Sequence, residues 1–210
     1  MATFDAHPVL IGRDIRLEPL QRRHVDGLVA AAAGDPLLYR WSPVPRTRDE
    51  TARYVETALA WREAGTAVPF AILRPSDGAV LGSTRFWNIE RWTWQEDDVA
   101  SKARALDVCE IGYTWFTSGA VRTAANTQAK LLMLTHAFDV WRALRVSFHT
   151  DVRNERSRTA IERIGGRFEG VLRAHRIAAD ATPRDSARYS IIASEWPGLK
   201  ERLSKLAARS

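Results

Sequence analysis

The stretch from Cys109 to Phe168 leaves this chain few ways to fold. It opens with CEIGYTWF, in which Ile111, Tyr113 and Trp115 alternate with Glu110, Gly112 and Thr114, the period of a strand. SGAVRTAANTQAK follows, and then Leu131, Leu132, Leu134, Ala137 and Phe138 give a largely apolar helix running to Trp141. VSFHTD reads as a second strand, and NERSRTAIERI as a short helix stopped by Gly165-Gly166. The first helix starts directly after a strand, so its N-terminus offers unpaired N–H groups and positive dipole potential to an anion. Gly119, Ala120, Ala124 and Ala125 are small enough for a phosphate to reach the backbone, Arg122 adds charge, and Asn126 can cap the helix. The expectation is a pyrophosphate-bearing cofactor held largely by main chain.

The rest of the chain continues the alternation. Val9–Leu20 reads as an opening strand and Gln21–Ala33 as a helix ended by Gly34-Asp35-Pro36. Thr47–Ala64 is a second helix, with Thr47 and Glu50 in a capping-box arrangement. Ala67–Arg74 and Val80–Asn88 are strands joined by the turn Pro75-Ser76-Asp77-Gly78. Phe168–Ile177 and Ser186–Ala193 make a final hairpin, and residues 194–208 a closing helix. Residues 89–107, with Trp92, Trp94 and the acidic Glu96, Asp97 and Asp98, read as a loop insertion. Alternating elements with a hairpin at each end predict a mixed-sheet α/β fold.

Composition narrows the class. At 210 residues, 45% hydrophobic and 27% charged, one soluble domain over residues 1–210 is expected. The lone Cys109 excludes an internal disulfide and fits a reducing compartment. With no leader-like start and no bilayer-length apolar run, the expected location is the cytoplasm, with no membrane partner. The five histidines (His7, His24, His136, His149, His175) show no ligand spacing, so no metal is expected. A net charge of +6 raises nucleic acid as a partner. However, many arginines (Arg122, Arg142, Arg145, Arg153, Arg156, Arg158) gather near the proposed phosphate site, and the other basic residues are scattered without a nucleic-acid module.

The opening GRDIRLEPL, the EIGYTW strand, the VRTAANTQAK turn and the NERSRTAIERIGGRFEGVLR block together resemble the GNAT superfamily of N-acetyltransferases, and within it the RimJ/RimL-like branch. The resemblance spans roughly residues 8–206 and implies a twisted, mostly antiparallel mixed sheet of about seven strands flanked by helices. It implies acetyl-CoA as co-substrate. The main chain of Trp115, Phe116 and Thr117 would pair with the pantetheine arm. Arg122, Thr123, Ala124, Ala125, Asn126 and Thr127 would cradle the pyrophosphate. This loop departs from the family's Gln/Arg-x-x-Gly-x-Gly/Ala pattern, with alanine at 124 and asparagine at 126; the alanine preserves close approach only where its φ is negative. Asn154-x-x-Ser157 matches the family without departure, so Asn154 and Arg156 are expected at the cofactor, and Ser157 as the acid protonating the departing thiolate. Helix capping by Asn154 explains the same residues structurally.

A base is less evident. Glu110 and His175 are the candidates, and His149 on the preceding strand reads as packed. Deprotonating a lysine amine at pH 7 costs roughly 4.6 kcal/mol, against about 1 kcal/mol for an α-amine. A weak base therefore points to a protein N-terminal or small-molecule amine as acceptor, attacking directly in a ternary complex. Trp41, Trp87, Trp92 and Trp94 make the acceptor side aromatic, with Trp92 and Trp94 in a lid or a homodimer contact. The rival from another class is a non-catalytic module of the same fold that binds or senses acyl-CoA.

Overall fold

The computed structural model describes residues 4–95 and 102–208. Its sheet has eight strands: β1 (Leu10–Ile11), β2 (Arg16–Pro19), β3 (Ala67–Leu73), β4 (Val80–Glu90), β5 (Val108–Phe116), β6 (Arg145–Asp151), β7 (Arg167–Ile177) and β8 (Pro183–Ile192). The spatial order is β1-β2-β3-β4-β5-β6-β8-β7. The count exceeds seven because the opening strand folds back on itself. Gly12 N–H donates to Ile15 O at 2.9 Å, and Leu10 then pairs with Leu17.

Among the described residues five α-helices cover the sheet: α1 (Val25–Ala32), α2 (Arg48–Glu63), α3 (Ala125–Thr135), α4 (Glu155–Arg163) and α5 (Trp196–Ala208). The expected capping box forms, with Thr47 accepting from Glu50 N–H and the Glu50 side chain returning to the Thr47 backbone. β3 is buried along its whole length because both of its faces are covered. Val68, Phe70 and Ile72 join the core under α3 and α5, while Ala71 and Leu73 join a second core under α1 and α2. The helix expected up to Trp141 is α-helical only to Thr135; His136–Val140 is a π turn that brings Trp141 N–H to His136 O at 3.0 Å.

Two departures from the sequence reading shape the site. Within the segment read as an insertion, Ile89 and Glu90 remain in β4, and Glu90 pairs with Val108. Glu96, Asp97 and Asp98 lie outside the described residues. The second departure is in β5, whose even alternation is broken. Ser83 pairs with Trp115 but Arg85 with Gly112, so β5 carries an extra residue, and Tyr113 adopts φ 52. A one-residue bulge exchanges the faces of everything beyond it. Ile111 accordingly packs in the α3 core and Trp115 in the α1/α2 core, although the sequence places them on one face. Gly82, opposite this region at φ 155, accommodates the close approach; a Cβ there would collide with the Trp115 carbonyl.

Candidate active site

β5 and β6 form the one parallel pairing in the sheet, and it is short. Val108, Cys109 and Glu110 pair with Arg145, Val146 and Ser147, and then the strands part. Beyond Glu110 the inner edges of the two strands face a cleft of about 640 Å³. Its walls include Gly112–Phe116 from β5, Phe148–Thr150 from β6, the loop before α3 and the first turn of α4. The bulge at Tyr113 bends β5 away from the parallel register at the point where the cleft opens.

The loop before α3 has the expected shape but not the expected strained residue. Ala124 takes φ −61, so alanine sits there without penalty, and Arg122 instead adopts the left-handed φ 64. The first main-chain bond into α3 is Gln128 N–H to Ala124 O at 2.9 Å, which leaves the amides of Asn126 and Thr127 without partners inside the helix. Arg122, Thr123 and Asn126 line the cleft. Asn126 is not the cap; Ala124 holds that position, and Thr123 Oγ1 accepts from Ala125 N–H at 3.2 Å. Ala124 and Ala125 are buried, and Thr127 Oγ1 accepts from Arg163 Nη2 at 3.1 Å. Trp115 and Phe116 border the cleft, but Thr117 does not. Its N–H donates to Leu81 O at 2.6 Å and its carbonyl accepts from Ala120 N–H, so it has no main-chain group free to pair with a pantetheine arm.

On α4 the capping and cleft-facing readings hold together. Asn154 Oδ1 caps the helix by accepting from Ser157 N–H at 3.1 Å, and both residues line the cleft. The Ser157 hydroxyl has no protein partner among the described residues. Arg156, also at the cleft, ties α4 across it by donating to Leu38 O at 2.7 Å.

Glu110 is 2% exposed and anchors a polar cluster. Its Oε2 accepts from Asn88 Nδ2 at 3.1 Å and Arg176 Nη2 at 3.3 Å. His149 Nδ1 stands 2.9 Å from the same oxygen, at ion-pair range but off the line of a straight hydrogen bond. Burial pushes the Glu110 carboxyl up, but His149 and then Arg176 more than offset this, and it lies below its ordinary value. It is an ionised carboxylate. The His175 ring lies 5.1 Å from His149 but does not line the cleft. Burial, with Arg176 and His149 assisting, pulls the His175 pKa down. His149, read from sequence as packed, is therefore the histidine at the cleft beside Glu110.

Lys130 escaped the sequence reading. It is 6% exposed, reaches the cleft wall from α3, and donates to Thr114 Oγ1 at 2.6 Å; Thr114 in turn shares a 2.8 Å hydrogen bond with Thr84. No carboxylate lies within ion-pair distance of it among the described residues. Burial lowers its pKa to about 7. A lysine in NTQAKLLML reads as the polar side of an amphipathic helix, and only the β5 bulge, which turns Thr114 toward α3, reveals its partner.

The aromatic side is divided. Trp41 and Trp87 line the cleft, and Trp87 meets Tyr113 edge-on at 5.1 Å. Gly112 lets that indole lie against β5, since a Cβ there would come within 2.8 Å of Trp87 Nε1. Trp92 and Trp94 do not line the cleft. They pack on each other and donate to carboxylates, Trp92 Nε1 to Glu90 and Trp94 Nε1 to Asp107, while Arg104 covers the Trp94 ring. Nearby acidic side chains bind these two indoles locally, so the expected acceptor role is not carried forward.

Residues 14–167 match the acetyltransferase (GNAT) domain family. No curated protein matches the chain. Among solved structures, a GCN5-related N-acetyltransferase from Brucella melitensis is 29% identical, with TM-score 0.81, over 96% of this chain and 86% of that one. A candidate acetyltransferase from T. thermophilus is 35% identical, with TM-score 0.76, over 98% of both chains. Mycobacterium smegmatis RimJ in complex with CoA-disulfide shares the fold at 22% identity and TM-score 0.73, over 95% of this chain and 93% of that one.

Proposed function

Because the chain belongs to the GNAT family of acetyl-CoA-dependent N-acetyltransferases, we propose that it acetylates an α-amine or another amine of low pKa by direct attack in a ternary complex. The observation that carries this reading is the gap between β5 and β6 beyond Glu110, with the unpartnered Ser157 hydroxyl and the Glu110–His149 pair both at its lining. Acetyl-CoA supplies the activated acyl group as a thioester. Asn126 and Thr127 amides, with Arg122, are placed for its phosphates, and the cleft-lining β5 residues Trp115 and Phe116 for its amide-bearing arm, with the Phe116 carbonyl already accepting from the Tyr39 hydroxyl at 3.0 Å.

The acceptor nitrogen attacks the thioester carbon, forming the C–N bond as the C–S bond breaks. The amine proton passes to Glu110 or His149, and Ser157 Oγ–H protonates the leaving thiolate while taking a proton back from solvent water. Main-chain N–H groups of β5 stabilise the charge on the carbonyl oxygen between these events. A carboxylate held below its ordinary pKa is a weak base, which favours an amine already part-deprotonated near neutrality. RimL, a structural neighbour described as a ribosomal L7/L12 alpha-N-protein acetyltransferase, supports a polypeptide N-terminus as the acceptor.

The test is a CoA-release assay over peptides with a free N-terminus, matched N-blocked lysine peptides and small amines, run on wild type and Ser157→Ala. Expected are faster turnover on the free N-terminus and a Ser157→Ala loss of about 10–100-fold in kcat with little change in KM for acetyl-CoA. Acetyl-CoA binding without turnover on any acceptor would favour the non-catalytic module instead. Lysine peptides turned over at least as fast as free N-termini would overturn the acceptor assignment.

A further inference from the structure

The acceptor end of the cleft has a surplus of hydrogen-bond donors. Arg176 on β7 and Arg184 on β8 are direct cross-strand partners, and both line the cleft. Like charges facing each other across a hairpin are destabilising. This pairing is produced by an irregularity in β7. The register shifts between Leu172 and Arg176, Ala174 takes φ 45, and its N–H is held by Asp185 Oδ1 at 2.7 Å. Such a bulge re-aims the side chains that follow it.

Glu110 pairs with Arg176 at 3.3 Å, but no carboxylate lies within ion-pair distance of Arg184 among the described residues. Glu110 takes Asn88, Arg176 and His149; Asp151 takes Arg153; Asp180 takes Arg153 and Thr182. Arg184 donates through Nε to Ser186 Oγ at 3.0 Å, but its Nη2 is buried without a partner. Trp87 Nε1 is a second buried donor without a partner on the same cleft, and the Arg176 guanidinium lies 4.2 Å from the Trp87 ring. Burial, and then the Arg176 charge, pull Arg184 below the usual guanidinium value. Two buried donors on the lining of one cleft, each without an acceptor, call for one from outside.

We infer that the Arg176–Arg184 pair, with Trp87 Nε1, seats a carboxylate carried by the amine acceptor. The inference rests on the acetyl-transfer reading and specifies its substrate class. A planar carboxylate matches the forked donors of a guanidinium and gives Arg184 the counter-charge that Glu110 already gives Arg176. The carboxylate has two sources of one chemistry: an acidic side chain beside the N-terminus of a polypeptide, or the α-carboxylate of a free amino acid.

The experiment compares kcat/KM for amidated Ala-Glu-Ala against Ala-Gln-Ala, and for alanine against alaninamide, scored per unprotonated amine, in wild type and Arg184→Gln. At least one carboxylate acceptor is expected to lead its neutral match by about tenfold or more, the scale of a charge-assisted hydrogen bond. Arg184→Gln is expected to bring that ratio to near one, and the leading pair identifies the source. Neither pair differing by more than about twofold, or a preference that survives Arg184→Gln, overturns the inference. A second readout does not depend on turnover: thermal unfolding of CoA-loaded protein with N-acetylglutamate against its neutral diamide, N-acetylglutaminamide, which carries no carboxylate. A carboxylate-specific shift that disappears in Arg184→Gln supports the seat even where no acceptor is acetylated, which would sink the parent reading alone. Equal shifts, or none, overturn the seat.

Discussion

Lys130→Met should make the protein more stable, and by an amount that depends on pH in a defined way. The substitution keeps an unbranched stem of similar volume and removes an amine buried without an anionic partner. Burial lowers the Lys130 pKa from 10.5 to about 7, and every tenfold change in a protonation equilibrium is worth about 1.4 kcal/mol. Charging it in the folded chain therefore costs about 4 kcal/mol at pH 7. Between pH 7 and 10.5 the unfolded chain holds this proton and the folded chain does not, so wild-type stability rises with pH across that window. Below it the full penalty is present, and above it none remains.

Methionine escapes the penalty but forfeits the hydrogen bond to Thr114, worth about 1 kcal/mol. The net expectation is a gain of about 3 kcal/mol at pH 7, shrinking by about 2 kcal/mol by pH 9. Urea unfolding of both proteins at the two pH values, with unchanged m-values, measures this. A Met variant less stable than wild type at pH 7, or a difference that does not move with pH, would refute the reasoning, since it would mean the amine is solvated or paired.

Three further outcomes follow from other parts of the site. Gly82→Ala should lose about 3 kcal/mol or more, read as a fall in the urea midpoint, because its Cβ would collide with the Trp115 carbonyl and come within 2.9 Å of its carbon at a residue held at φ 155. Asn154→Ala should cost about 1 kcal/mol in the same assay through loss of the α4 cap, with a rise in KM for acetyl-CoA. Glu110→Gln should lower kcat about 100-fold or more without altering the pH profile between pH 6 and 8, since the carboxylate is already ionised there. Its folded pKa lies below its unfolded value, so the stability it contributes is present at pH 7 and lost as pH falls below about 4.5.

Signals carried by one local stretch were legible in the sequence. Thr47 with Glu50, the Pro75–Gly78 turn and the Asn154 cap each depend on residues within one turn of chain, and each forms as read. The proposed cofactor side draws on the same local signals, a loop, a helix start and a short block in order along the chain, although Thr117 falls off the cleft and Ala124 rather than Asn126 takes the cap. The acceptor side depends on register, which local patterning does not carry. Tyr113 reads as a regular strand residue because the bulge is forced by pairing with β4 across Gly82, far away in sequence. Once β5 shifts, Thr114 meets Lys130, and the pairing of β5 with β6 and of β7 with β8 brings His149 and Arg176 to Glu110. Trp92 and Trp94 misled for the opposite reason. Their polar neighbours suggested a lid, but Asp107 and Glu90 lie close enough to bind the indole N–H groups locally.

The short seam between β5 and β6 has a consequence for stability. Three residue pairs join the two halves of the sheet, and beyond them the two strands part around the cleft. An open edge is a template for another chain as readily as for a ligand. A molecule lying along the gap would act as a missing strand, sealing both edges at once. Such a molecule binds the folded chain and not the unfolded one, so its concentration adds to stability by mass action.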